Sequence, residues 1–246
     1  MISEKQIPSP SRLVESLRDT GYSHQAAFAD IVDNCIAANA SNVVIDITQD
    51  FMGNDLSVAF YDNGEGMSVD ELKNAMRYGS DKRPSPKSLG KFGMGLKTAS
   101  TAFCRRLSVI SIKDNVPSIR VWDIDKIIDQ DEWVLLEPNL DEYSKYLEKL
   151  KTLTDGSGTV VIWTRVDRLI TNNGTDYLQK AMDTIIAEIS QHLSATFGKF
   201  LIGVDNFNNT QADAFTQPEV AITVNDLVIE GWNPNGLFLN VDENDD

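Results

Sequence analysis

No apolar run in this 246-residue chain approaches the roughly 18 residues that a membrane-crossing helix needs, and the opening MISEKQIPSPSR has no signal-peptide core. Cysteine is scarce: Cys35 and Cys104 are the whole complement, and they lack any metal-ligand spacing. A reducing, cytoplasmic setting is the expectation, with both thiols packed as small apolar groups. Histidine is equally thin, with only His24 and His192. Basic residues are outnumbered, 22 against 37 acidic ones, for a formal charge of -15. Such a surface repels phosphates, so nucleic-acid binding by this segment alone is not expected, although a longer protein containing it could still engage nucleic acid.

What is present is the balance of an ordinary globular protein, 41% apolar and 24% charged, with enough length for one large domain or one domain and the start of a second. Acid is missing locally as well. Between Asp81 and Asp114 there is none, while Lys82, Arg83, Lys87, Lys91, Lys97, Arg105, Arg106 and Lys113 supply 8 of the 22 basic residues. That island points to a local anionic ligand or, equally on charge alone, to a solvated loop.

Periodicity predicts a short amphipathic helix over 9–19 and a second from Ser23 to about Ala40, with Phe28, Ile31, Val32, Cys35 and Ile36 on one face. Strands are expected at Val43–Ile47 and Leu56–Tyr61, and Ser68 with Glu71 has capping-box spacing for a helix to about Arg77. Residues 79–93 read as a long loop, followed by a helix from near Met94 to Phe103. Strands then follow at Leu107–Ile112, Ile119–Trp122 and Thr159–Val166, with a charged surface helix at 140–152. Asp176–Phe200 is a long helical pattern, and VAITVNDLVIEGWNP reads as a β-hairpin that begins a new unit.

Three segments carry residues suited to ligand chemistry. Asp30 and Asn34 stand four apart on one helix face, where a carboxylate and a carboxamide can orient water and complete a magnesium shell. A solvated polar edge would look the same. Asp62-Asn63-Gly64-Glu65-Gly66-Met67 follows an apolar strand. A carboxylate there can accept from an exocyclic amine, Gly64 and Gly66 allow a flat ligand close approach, and Met67 can cover a ring. Asn-Gly is also ordinary turn chemistry. Finally, Gly90-Lys91-Phe92-Gly93-Met94-Gly95-Leu96-Lys97-Thr98 leads glycines into a helix start, where backbone N–H groups, two lysines and a hydroxyl favour an anion. It is no Walker A loop, because Leu96 stands at the lysine position, and no dinucleotide fingerprint, because Thr98 stands at the third glycine. A plain hinge loop is the competing reading.

Taken in order, ADIVDNCIAANASNVVIDI, YDNGEGM, LGKFGMGLKTAS and GSGTVVIW resemble the ATP-binding domain of the GHKL superfamily. That group contains the gyrase B protein, the ninety-kilodalton heat-shock chaperones, histidine kinases and MutL, and the likeness is strongest to its microrchidia (MORC) and MutL-like branch. It extends into QHLSATFGKFL and ITVNDLVIEGW, which look like an exit helix and the opening of a transducer domain. The resemblance implies an α/β (α+β) two-layer sandwich of the Bergerat type, with helices on one face of a mixed, mostly antiparallel sheet. It also implies an ATP-binding domain at 1–202 and a truncated transducer at 203–246.

By the same resemblance, Asn34 would coordinate magnesium and Asp62 would bind the adenine amino group. Gly64, Gly66 and Met67 would line the adenine pocket, with Thr159 supporting it from the sheet. Lys91, Gly93, Met94, Gly95, Leu96, Lys97 and Thr98 would surround the phosphates, and Ser80–Lys91 would form an ATP lid. Asp30 stands where most relatives have the water-activating glutamate and is shorter by one methylene. The transducer-like stretch offers no lysine for the γ-phosphate, so slow turnover is expected. The activity implied is a magnesium-dependent ATPase working as an ATP-driven switch with homodimerisation, Met1–Asp19 being an arm suited to exchange. A non-hydrolysing ATP-binding regulatory module is the alternative. A histidine kinase is not expected, since neither His24 nor His192 is placed as a phosphoacceptor.

Overall fold

In a computed structural model the chain is described at residues 8–19, 21–49, 56–78, 95–170, 175–202 and 220–232. One sheet organises them. Its strands are β1 (Asn42–Gln49), β2 (Leu56–Asp62), β3 (Cys104–Lys113), β4 (Val116–Asp123), β5 (Leu135–Leu136), β6 (Gly158–Val166), β7 (Ala221–Val224) and β8 (Leu227–Val228). They lie in the order β5-β4-β3-β6-β2-β1-β7-β8. All neighbours are antiparallel except β1 and β7, which makes the sheet mixed and mostly antiparallel, as expected.

Several helices begin where a side chain satisfies a first-turn N–H group. Ser9 caps α1 (Pro10–Arg18), Ser23 caps α2 (His24–Ala37), and Ser68 with Glu71 forms a complete capping box on α3 (Val69–Met76). The remaining helices are α4 (Gly95–Phe103), α5 (Ile124–Gln130), α6 (Ser144–Leu153) and α7 (Thr175–Ile202). The strand-to-helix step into α5 and the short β5 were not anticipated. Asp123 ends β4 and caps α5 at once, so a single residue ends one element and begins the next without a separate turn signal.

Strand alternation divides the apolar residues between two faces. Val43, Ile45, Val58, Phe60, Leu107, Val109, Val161 and Trp163 face the helical layer, packed with Phe28, Ile31, Leu72, Ile189 and Leu193. Ala59, Tyr61, Ile110, Ile112, Val160 and Ile162 face the other way, under Leu147 and Leu150 of α6 and Tyr143 of the preceding 3-10 turn. Most helices therefore share one face, and the charged 140–152 segment folds as a helix on the second.

The centre of the main core is aromatic. Phe28 of α2 meets Phe60 of β2 at 4.8 Å and Trp163 of β6 at 5.3 Å between ring centroids. These edge-on contacts fix α2 over the middle strands and so decide where Asp30 and Asn34 stand relative to Asp62. The hairpin at β7 and β8 forms as read, and it joins the same sheet through β1. The expected boundary at 202/203 abuts residues 203–219, outside the described set.

Candidate functional site

Asp62 is the last residue of β2, and register sets it opposite Thr159 on β6, which in turn lies opposite Ser111 on β3. Each lies two residues from a helix-facing core residue (Phe60, Val161 and Val109), so the three form a polar row at the end of an apolar face. Asp62 is 5% exposed. Burial pushes its carboxyl up to about 6, against hydrogen bonds from Gly64, Cys35 and the Thr159 backbone that favour the ionised form. The Thr159 and Ser111 hydroxyls meet at 2.9 Å, and Ser111 Oγ accepts from the Met67 N–H at 2.8 Å. Gly64 N–H donates to Asp62 Oδ1 at 2.9 Å. The 62–67 turn is thus held at both ends by the polar row.

The two glycines of that turn are sterically required. A Cβ on Gly64 would stand 2.6 Å from the Ala38 carbonyl and 2.9 Å from Asp62 Oδ1. At Gly66, φ is +63° and a Cβ would lie 1.9 Å from the Ile112 carbonyl oxygen, so no other residue fits. Glu65 N–H donates to the Ala38 carbonyl at 2.9 Å, which presses the turn against the end of α2.

Along α2, Phe28, Ile31, Val32 and Cys35 are buried, while Asp30, Asp33 and Asn34 are half-buried beside them. Asn34 Nδ2 donates to the Asp30 carbonyl at 2.6 Å, and its amide oxygen, unlike that nitrogen, is an atom able to ligate a cation. Burial, followed by the neighbouring Asp30 charge, raises the Asp33 carboxyl. Burial also raises the Cys35 thiol, which donates to the Ile31 carbonyl at 3.2 Å and lies against Asp62. Cys35 therefore links α2 to the end of β2. Asp30 Oδ2 accepts from the Tyr22 hydroxyl at 2.8 Å.

A Cβ on Gly95, the first residue of α4, would stand 4.0 Å from that same Asp30 oxygen. The first turn of α4, with its outward N–H groups and positive dipole end, therefore adjoins the Asp30 carboxylate and can take an anion. Leu96 packs against the core from the same turn. Thr98 is 8% exposed, and its hydroxyl reaches the Gly95 carbonyl at 3.4 Å and the Tyr22 phenol.

Lys97 turns its ammonium away from that helix start. Its Nζ donates to the Ala75 carbonyl at 2.6 Å and lies 5.9 Å from the Tyr78 ring centroid, fastening the end of α3 to α4. Lys91, Gly93 and Met94, like the Ser80–Lys91 segment, lie outside the described residues.

Two groupings result: Asp30, Asn34, Gly95 and Thr98 at the α2–α4 junction, and Asp62, Gly64, Gly66, Met67 and Thr159 at the strand ends. Cys35 and Ala38 join them. Sequence reading missed Tyr22, Cys35 and Ser111 as members. Ser111 alone left a trace, as a hydroxyl on the same strand face as the apolar Leu107 and Val109.

Among the described residues, the cations of the basic island do not converge on one place. Arg105 pairs with Asp125, Arg106 with Asp123 at 2.8 Å, and Lys113 with Glu71 at 2.8 Å. Consecutive cations in the chain are dispersed by strand geometry, and Lys82, Arg83, Lys87 and Lys91 lie outside the described residues. Among the described residues no cluster of three or more His, Cys, Asp or Glu side chains could hold a metal.

Residues 22–159 match the family described as histidine kinase-, DNA gyrase B-, and HSP90-like ATPase. The matched span holds every residue of both groupings. The chain is also 29% identical over 96 residues to the mouse (Mus musculus) protein named ATPase MORC2B, covering 37% of this chain and 9% of that protein. It is 28% identical over 115 residues to ATPase morc-1 of Caenorhabditis elegans, covering 46% of this chain and 13% of that protein. The chain therefore corresponds to a small part of either relative's length. With a family match over more than half its residues and its two polar groupings inside that match, this chain belongs to the histidine kinase-, DNA gyrase B- and HSP90-like ATPases.

Proposed function

We propose that the chain binds magnesium-chelated ATP and hydrolyses it slowly to ADP and phosphate, as a cytoplasmic nucleotide-driven switch. One observation carries this reading: α2 holds Asp30 beside the α4 helix start and, through Cys35, meets Asp62 at the buried strand end. In this reading Asp62 accepts from the adenine amino group, and Thr159 and Ser111 support the ring's edge through their hydroxyl pair. Gly64, Gly66 and Met67 line the base, and the N–H groups of Gly95, Leu96, Lys97 and Thr98 face the phosphates. Lys91, Gly93 and Met94 complete the phosphate loop. Asp30 takes a proton from the attacking water.

The donor set fits magnesium only as an ion carried in by the nucleotide. No carboxylate cage stands among the described residues, and the Asn34 amide oxygen can supply one hard ligand to an ion whose other positions are phosphate oxygens and water. Closure of Ser80–Lys91 as a lid, ATP-dependent homodimerisation through the Met1–Asp19 arm, and a transducer beginning at 203 belong to the same reading and rest on the resemblance.

Phosphate release from Mg-ATP by wild type and Asp30→Ala tests the chemistry, with clear release expected from wild type only. Equal background release from both would leave a binding module. Light scattering with a non-hydrolysable ATP analogue tests the dimer, and a monomer with and without the analogue would remove it.

A further inference from the structure

Asp30 is a short carboxylate that must reach a water lying in front of a helix start, and its aim depends on what holds it. A carboxylate on two bonds' worth of side chain can rotate freely unless one oxygen is fixed. Here one oxygen is fixed. Tyr22, just before the Ser23 cap of α2, sends its phenol to Asp30 Oδ2 at 2.8 Å. The same phenol oxygen also meets Thr98 in the first turn of α4. The Tyr22 ring is half-buried and packs on the main core, so its hydroxyl is not free to leave. Burial raises the Tyr22 phenol, and the Asp30 hydrogen bond raises it further, as befits a group that keeps its proton to donate it.

We propose that Tyr22 is the positioning residue for Asp30: its hydroxyl holds Oδ2, presents Oδ1 to the attacking water, and ties that aim to the α4 turn through Thr98. This rests on the reading of Asp30 as proton acceptor. In the step concerned, a water oxygen bonds to the γ-phosphorus as the bond from that phosphorus to the β–γ bridging oxygen breaks. The bond's electron pair leaves with ADP, and the water proton passes to Asp30 Oδ1. Tyr22 neither gains nor loses a proton. The link to Thr98 also explains how a shorter acid can serve at this position. The carboxylate is braced against the element that would hold the phosphates, so its distance from the phosphorus is set by packing between α2 and α4 rather than by side-chain length.

The test compares Tyr22→Phe, Asp30→Asn and wild type in the full chain, measuring Mg-ATP turnover and the Kd of ADP. Phenylalanine keeps the ring's packing and removes only the donor. The expected result is a kcat lowered at least tenfold in Tyr22→Phe with the ADP Kd within twofold of wild type, and a larger loss in Asp30→Asn. A Tyr22→Phe kcat within twofold of wild type, with Asp30→Asn inactive, would overturn the positioning role and leave Asp30 its part. Asp30→Asn turning over like wild type would remove the acceptor reading instead. Loss of ADP affinity in Tyr22→Phe would also overturn the proposal, since the ring would then be shaping the pocket. Independently of turnover, tyrosine labelled at Cζ with carbon-13 should show the Tyr22 resonance moving in Asp30→Asn. An unmoved resonance would mean the hydrogen bond is absent in solution.

Discussion

The two ends of the central strands carry charge, and they are built in opposite ways. Beyond the C-terminal end of α4, Arg18, Arg105, Arg106 and Arg165 are matched by Asp123, Asp125 and Asp167. At the other end, Asp62 and Asp30 are held by neutral donors, a backbone N–H and a phenol respectively. An arginine–aspartate pair closes on itself and has nothing left to offer. A carboxylate held by neutral groups is aimed but not neutralised, and it keeps its affinity for a cation, an amine or a proton from outside. Elements at the paired end are joined by charge pairs, whereas in the proposed function the neutral end keeps its charge for a ligand.

The largest expected effect comes from breaking the neutral end sterically. Gly66→Ala forces a Cβ to within 1.9 Å of the Ile112 carbonyl at positive φ. It should cost about 3 kcal/mol of stability or more, read as a lowered denaturation midpoint, and abolish nucleotide binding. Wild-type stability in that variant would mean the turn can relax and is not held as described.

Next is the paired end. Arg18 is 4% exposed, and it donates to the Thr101 carbonyl at 2.8 Å and pairs with Asp167. Arg18→Ala strands both partners and should destabilise by about 2–3 kcal/mol, tempered by the partial exposure of Asp167, while ATP affinity in the folded protein stays within a few fold. A large loss of ATP affinity without loss of stability would reverse the comparison. Asp62→Ala should do the opposite. It should lower ATP affinity by roughly 5- to 150-fold in a calorimetric titration, the equivalent of about 1–3 kcal/mol for a lost buried partner. Unchanged affinity would take Asp62 out of the adenine role.

These two ends were not equally legible in the sequence. The neutral end announced itself, because turns and helix starts write their needs locally: DNGEGM needs its glycines, and Ser68 with Glu71 caps its own helix. The residues missed there reach the site across the chain. Ser111 enters through strand register, 44 residues from Met67, and nothing near it specifies that partner. The paired end could not be read at all. Arg105 and Arg106 looked like ligand cations because their aspartates lie 17 to 20 residues further on, across a strand pair and a helix start. Alternation foretold strands β1 to β4 and β6 well, since each is long enough to show its period. It missed β5, whose two residues have no period to show.

The smallest effect is the most diagnostic of how Asp62 is held. Its folded carboxyl titrates near 6, above the usual value of 3.8, chiefly because burial disfavours the charged form. For an acid raised in this way, the ionised group costs stability above about pH 6, and the cost fades as pH falls from 6 toward 4. Asp62→Asn, which cannot ionise, should therefore flatten the stability profile across that interval while leaving the profile below pH 4 unchanged. Ligand affinity should run the other way if, as proposed, Asp62 accepts from the adenine amine through its ionised oxygen. In wild type the ATP affinity should fall as pH drops through 6, by no more than tenfold per pH unit, and Asp62→Asn should lack that component. The phosphates of ATP titrate in both proteins, so the difference between the two profiles isolates the carboxylate. An Asp62 closed off by a cation, like the aspartates at the paired end, would show no such difference, and parallel profiles would place it among them.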